Sequence, residues 1–291
     1  VEKRIDVMLV GAQKAGTTSL LRYIGEHPEC FSHPQKEFAY FMDPVEYEKG
    51  YPEALKKYFS EQPVTPHSLL VAKSASLYTS EAAIKRLRDH NPNCKLIFIL
   101  RNPIDRAYSS YLMEMNAGEA YYDFGKVSDL IKQGSGWEYE LLIEYGFYAK
   151  HLQTIYKYFS PDQVMVLLFD ELKKDAKSIC QEVFKQLKIT PDFSPQVEVV
   201  HNVTRKNRSI GFAVTVNKAL HKNSKFRKLL SHLIPSYKAY RFGDFVRKLN
   251  KTKEGFQPMD PNARKYLADF FKPYNQQLSQ LINRDLSSWD K

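Results

Sequence analysis

The sequence predicts an α/β fold with a central parallel sheet flanked by helices, and three observations predict it. Val7–Val10 is an apolar run that breaks at Gly11 and restarts as an amphipathic segment from Thr17, which reads as strand, turn and helix. Lys95–Leu100 is a second apolar run, and the Pro103 that follows suits the first position of a helix. Gln163–Phe169 is a third, ahead of an amphipathic stretch from Asp175 to Leu187 with Ile179, Val183, Phe184 and Leu187 on one face. Near-continuous apolar strands alternating with helices are the pattern of a parallel sheet covered on both faces.

Composition bounds the partners. The chain has 291 residues and a formal charge of +10, enough length for one large core and an electrostatic balance that suits an anionic nucleotide or polymer, nucleic acid or an acidic membrane surface. We expect one domain, 1–291, carrying surface insertions. No apolar run approaches the roughly 18 residues of a membrane helix, so no membrane contact is expected. The chain starts at Val1, which leaves a leader or anchor open. Cys30, Cys94 and Cys180 are too few and odd in number for a disulfide framework, which favours a reducing, cytoplasmic setting over the Golgi lumen. Against that stand three N-glycosylation triplets at Asn202, Asn207 and Asn250. No paired histidines have the spacing of a zinc helix and the cysteines are isolated, so no metal is expected. A Gly-x-Ser-x-Gly elbow and a Gly-x-Gly dinucleotide turn are also missing.

The turn after the first strand carries the chemistry. Gly11 and Gly16 have the spacing of a phosphate loop, in which backbone N–H groups close around phosphate oxygens at a helix N-terminus. An ordinary strand-to-helix turn would also use glycine here. In a nucleotide triphosphatase Lys and Ser/Thr follow the second glycine directly; here Thr17 and Thr18 follow Gly16, and the lysine sits inside the loop at Lys14. The fold expected is therefore P-loop-like and three-layered.

Gly11-Ala-Gln-Lys14-Ala-Gly-Thr-Thr-Ser19 resembles the 5′-phosphosulfate loop of the sulfotransferases that use 3′-phosphoadenosine 5′-phosphosulfate (PAPS). The resemblance implies that Lys14, Ala15, Gly16, Thr17, Thr18 and Ser19 bind the 5′-phosphate, with Lys14 facing the bridging oxygen to sulfate. It extends along most of the chain and is nearest to the heparan sulfate, carbohydrate and bacterial types. Glu37 precedes Phe38, Tyr40 and Phe41 as the catalytic base does in the heparan sulfate type, although Ala39 stands where several of those enzymes have histidine. From spacing alone, Lys36-Glu37 is equally a surface ion pair.

The remaining elements follow in order. A first helix is expected over Thr17–His27, Pro28 and Pro34 then exclude a continuous helix, and Tyr47–Ser60 reads as a surface helix. Ser68–Lys73 reads as a buried strand, and Thr79 or Ser80 caps a helix running to about His90. Lys73 lies at a strand C-terminus, where α/β sheets place ligands. By resemblance it approaches the sulfuryl group, with Ala75 replacing a frequent proline. Arg101 and Ser109 can converge on one phosphate, by a charged fork and a hydroxyl, and match the family's 3′-phosphate segment. Residues near 116–140 read as an irregular insertion with one short helix, placed to rim an acceptor site.

A helix is expected from Glu144 to about Tyr158, and Thr190–Val200 reads as loop. Arg205, Lys206 and Arg208 lie in a basic stretch that by resemblance folds over the cofactor, without the cysteines that hold this loop in the Golgi enzymes. A basic helical region spans roughly 217–250. The last segment is a helix capped by Asp260 with Pro261 in its first turn, continuing past a bend at Pro273. The function implied is transfer of a sulfuryl group from PAPS to a hydroxyl or amine of a carbohydrate or small natural product, with release of 3′,5′-ADP. No nucleic-acid partner is expected. The other readings are a P-loop kinase or a non-catalytic binder of anionic glycans.

Overall fold

The computed structural model describes residues 3–60, 68–117, 123–197, 207–209, 211, 212, 215, 250, 252 and 256–291. Among them, five parallel strands form one sheet: β1 Val7–Gly11, β2 Cys30–Ser32, β3 Leu69–Lys73, β4 Lys95–Leu100 and β5 Val164–Leu168, in the order β2-β3-β1-β4-β5. β1 pairs with β3 through Val7 and Val71 and with β4 through Val7 and Lys95. Strands before β4 lie on one side of β1 and later ones on the other, so the sheet has a switch point beside β1, the position where open α/β sheets bind ligands. All five residues of β1 and five of the six in β4 are buried, which is why both read as unbroken apolar runs.

Contacts divide the chain into two compact units. The first comprises Val1–Arg106, Glu144–Asn202 and Ala268–Lys291 and holds the sheet. Helix α1, Thr17–Gly25, buries Leu20, Leu21, Tyr23 and Ile24 and stops two residues short of the expected His27. The segment expected as one surface helix is two, α2 Pro44–Glu48 and α3 Tyr51–Phe59. Gly50, at φ 85°, breaks the chain between them in a conformation that L side chains rarely adopt. α3 is no mere surface helix, since it buries Tyr51, Ala54, Tyr58 and Phe59. Helix α4, Glu81–His90, is capped by Ser80, whose hydroxyl accepts from the Ala83 N–H at 3.3 Å. Helix α5, Pro103–Ala117, follows β4 as expected.

The helix expected from Glu144 is instead a 3₁₀ turn, Glu144–Gly146, followed by a separate helix, Tyr148–Tyr156. Gly146 is pressed so close to Phe271 that a Cβ would lie 2.8 Å from its ring. After β5 come helices Phe169–Lys174 and Ala176–Leu187, the second capped by Asp175. The last helix, Pro261–Ile282, runs through Pro273 as one element.

The second unit comprises Ala107–Ile143 and Val203–Leu267. Its insertion carries two short helices where one was expected, Val127–Gln133 and Trp137–Leu142. Tyr108, Tyr111 and Phe124 pack together, and the Asn207 N–H donates to Asn116 Oδ1 at 2.8 Å. The basic region expected near 217–250 lies outside the described residues apart from Asn250.

Candidate active site

The loop between β1 and α1 has the backbone of an anion cradle. The Ala12 N–H donates to the Ile99 carbonyl at 2.7 Å, tying the loop to β4. Lys14 and Gly16 both adopt left-handed conformations, with φ of 70° and 85°. Such residues curve successive N–H groups into a concavity that accepts anions. No side chain caps α1 and its first turn holds no acidic residue, so its start offers backbone donors and the positive end of the helix dipole. Gly11 is fixed by sterics as well: a Cβ there would lie 2.3 Å from the Tyr78 ring.

Glu37 and Lys73 meet beside this loop. Lys73 is the last residue of β3, and its ammonium donates to Glu37 Oε1 at 2.7 Å and to Thr18 Oγ1 at 3.3 Å. The other carboxylate oxygen of Glu37 accepts from the Ala75 N–H at 2.8 Å. Two anchors on two oxygens fix the carboxylate plane. The Lys73 side chain is 1% exposed and that of Glu37 is 38% exposed, so solvent or an incoming molecule reaches the pair from the glutamate end. Burial lowers the Lys73 pKa, and the attraction of Glu37 opposes the shift.

Arg101 joins the loop from β4. Its guanidinium donates to the Lys14 carbonyl at 2.9 Å and lies 4.9 Å from the centre of the Phe169 ring. Burial lowers its pKa, yet arginine stays protonated across the working range. The Arg101 carbonyl accepts from the Tyr148 hydroxyl at 2.9 Å, which holds the strand end. Direct contacts thus tie Arg101 to Lys14 in the loop, and Lys73 to both Glu37 and Thr18 at the start of the helix that follows it. Ala15 and Thr17 are buried, and Gly16 and Ser19 are part-buried in the same loop and helix start.

Ser109 is part-buried on α5 and belongs to the second unit. Arg208, also there, is exposed, and its N–H donates to the Asn250 carbonyl at 2.6 Å. Arg205 and Lys206 lie outside the described residues. His33, Tyr58 and Phe169 support the site and were not singled out by sequence. For Phe169 no signal existed beyond its place at a strand end. For His33 the hint was a histidine followed directly by Pro34, where a strand must leave its ladder.

An uncapped helix start, two left-handed loop residues, a buried lysine and an arginine at the strand end suit a ligand with several phosphate or sulfate oxygens. The donor set fits a phosphosulfate nucleotide on chemistry alone.

Comparison with known proteins points the same way. Residues 4–235 match the family described as sulfotransferase domain. The bifunctional heparan sulfate N-deacetylase/N-sulfotransferase 4 of Mus musculus is 27% identical over 296 residues, covering 97% of this chain and 30% of that protein. The chain thus spans under a third of that relative. It spans 75% of the heparan sulfate glucosamine 3-O-sulfotransferase 5 of Homo sapiens, which is 27% identical over 99% of this chain. The sulfotransferase from Alicyclobacillus acidocaldarius superposes with a TM-score of 0.69 at 23% identity, covering all of both chains, and so shares the fold. With the family match running over most of its length, this chain belongs to the sulfotransferase domain family and is an enzyme of that kind.

Proposed function

We propose that the chain transfers a sulfuryl group from PAPS to a hydroxyl or amine of a carbohydrate acceptor, or of a small natural product, and releases 3′,5′-ADP. The observation that carries this reading is the Lys73 ammonium, which contacts both Glu37 and Thr18 and so joins a carboxylate base to a phosphate loop. The donor supplies an activated sulfur and a phosphate leaving group. Glu37 takes the acceptor proton while the acceptor oxygen or nitrogen bonds to sulfur. The bond from sulfur to the bridging oxygen breaks, and the electron pair stays on the departing phosphate. Lys14 and Lys73 stabilise the charge that develops there, a placement of donors commonly worth a few kcal/mol. The loop from Lys14 to Ser19 holds the 5′-phosphate; Arg101, with Ser109, holds the 3′-phosphate, and Arg205, Lys206 and Arg208 cover the nucleotide.

A carbohydrate acceptor is favoured by the relatives named for heparan sulfate. The half-open Glu37 end of the pair is where such an acceptor would approach. The three free, buried cysteines favour a reducing compartment. Incubation with radiolabelled PAPS and a panel of unsulfated and N-sulfated glycans tests the reading. Label in a glycan that disappears in Glu37→Gln supports it; label transferred equally well by that variant removes Glu37 as the base, and no transfer to any sugar moves the acceptor to another class.

A further inference from the structure

We infer that His33 is a positioning residue for the Glu37–Lys73 pair, its imidazole standing in for a missing rung of the β2–β3 ladder. The inference rests on the sulfuryl-transfer reading for its effect on turnover, but not for the tether itself. β2 pairs with β3 through Cys30 and Leu69, Phe31 and Leu70, and Ser32 and Val71. Lys73 is two residues further along β3, and its N–H and C=O both face the β2 side. At that level β2 has ended, because Pro34 turns the chain away. His33 Nε2 accepts from the Lys73 N–H at 3.2 Å, and the returning chain supplies the Phe38 N–H, which donates to the Lys73 carbonyl at 2.7 Å. Both main-chain groups of the lysine are therefore held by the segment that carries Glu37.

The imidazole is itself held in place. His33 is 3% exposed, and its ring lies 5.9 Å from Phe38, 5.7 Å from Tyr58 and 6.0 Å from Phe59. Tyr58 also accepts from the Ala39 N–H at 3.2 Å, two residues after the base. Burial and the neighbouring Lys73 lower the His33 pKa to about 4, so the ring is neutral near pH 7 and Nε2 is an acceptor there. A side chain that bridges the base segment and the lysine in this way sets their separation without touching substrate.

The test compares His33→Gln, which retains an acceptor at similar reach, with His33→Met and His33→Leu, which keep apolar bulk among the three rings and lose the acceptor. The readouts are thermal midpoint, affinity for 3′,5′-ADP, kcat and KM, and hydrogen exchange of the peptide containing the Lys73 amide. We expect the Met and Leu variants to lose kcat about 10- to 100-fold relative to Gln, the scale of a misplaced catalytic group. Affinity for 3′,5′-ADP stays unchanged, and exchange at Lys73 is faster in Met and Leu than in Gln. Equal exchange in all three variants would overturn the tether, and so would equal loss of kcat at equal thermal midpoint. If the wild-type protein transfers no sulfuryl group, the exchange comparison still decides the tether, and it is the proposed function that falls.

Discussion

Lys73 and Glu37 form an ion pair of 2.7 Å in which the lysine is buried and the glutamate is part-open to solvent. This asymmetry separates two kinds of residue that a sequence cannot tell apart. Replacing both partners of a buried ion pair with apolar side chains is often neutral, whereas removing one alone strands the other charge, a cost that solvent reduces here because Glu37 is part-open. Lys73→Met should therefore lower the thermal midpoint only modestly while kcat falls about 10²- to 10³-fold, the loss seen when one donor to a developing charge is removed. A fall in thermal midpoint with kcat preserved would make the lysine structural.

Glu37→Gln keeps the shape of the side chain and an acceptor for the Ala75 N–H, but removes the base. Turnover should drop by about 10²- to 10⁴-fold. Affinity for 3′,5′-ADP, measured by titration, should not change, because the phosphate loop is untouched.

Arg101 braces the Lys14 carbonyl and is proposed to hold the 3′-phosphate. Arg101→Ala should weaken 3′,5′-ADP binding about tenfold to a hundredfold, the range for a charge-assisted hydrogen bond. Arg101→Lys should restore little of it, since an ammonium cannot form the planar fork or lie over Phe169 in the same way. Titration of both variants with 3′,5′-ADP checks the order.

Gly11→Ala puts a methyl group where the Tyr78 ring lies. Overpacking of this kind typically costs about 1–3 kcal/mol, and urea unfolding should show a loss of that size. The companion change Tyr78→Leu should recover part of it by vacating the ring position. Tyr78 also donates to the Tyr145 carbonyl at 2.9 Å, so the recovery will be incomplete.

Stability should fall on the acid side. Burial lowers the pKa of His33, His90 and His151 from 6.5 to about 4 in the folded protein. Each binds a proton more readily unfolded than folded, so the stability that neutrality confers is complete above 6.5 and is lost as pH falls toward 4. The thermal midpoint should therefore decline between those values. His90→Gln, which keeps an acceptor for the Ile5 N–H, should make the decline shallower.

The sheet was largely legible because most residues of β1, β3, β4 and the edge strand β5 are buried. Val7–Gly11, Lys95–Leu100 and Val164–Leu168 each appear as an apolar run with a turn after it. β2 was not, because three residues between Pro28 and Pro34 carry no periodicity, and only pairing with β3 makes Cys30–Ser32 a strand. The breaks at Gly50 and Gly146 depend on a backbone angle and a distant phenylalanine, neither of which local pattern encodes. Within the site, Lys14 and Gly16 could be placed from glycine spacing, and Lys73 and Arg101 from strand ends. That Lys73 would reach both Glu37 and Thr18 could not, since these three residues come from separate elements joined only by tertiary packing. The Pro34 that follows His33 hints at a strand end, but its tethering role was unreadable for the same reason: its partner is a backbone amide 40 positions away.

The most direct test of the central claim is calorimetric titration of the chain with 3′,5′-ADP, and separately with ATP plus Mg²⁺, in moderate salt. Binding of 3′,5′-ADP should be tight, should need no metal and should weaken in Arg101→Ala. Binding of ATP plus Mg²⁺ with none of 3′,5′-ADP would contradict that claim.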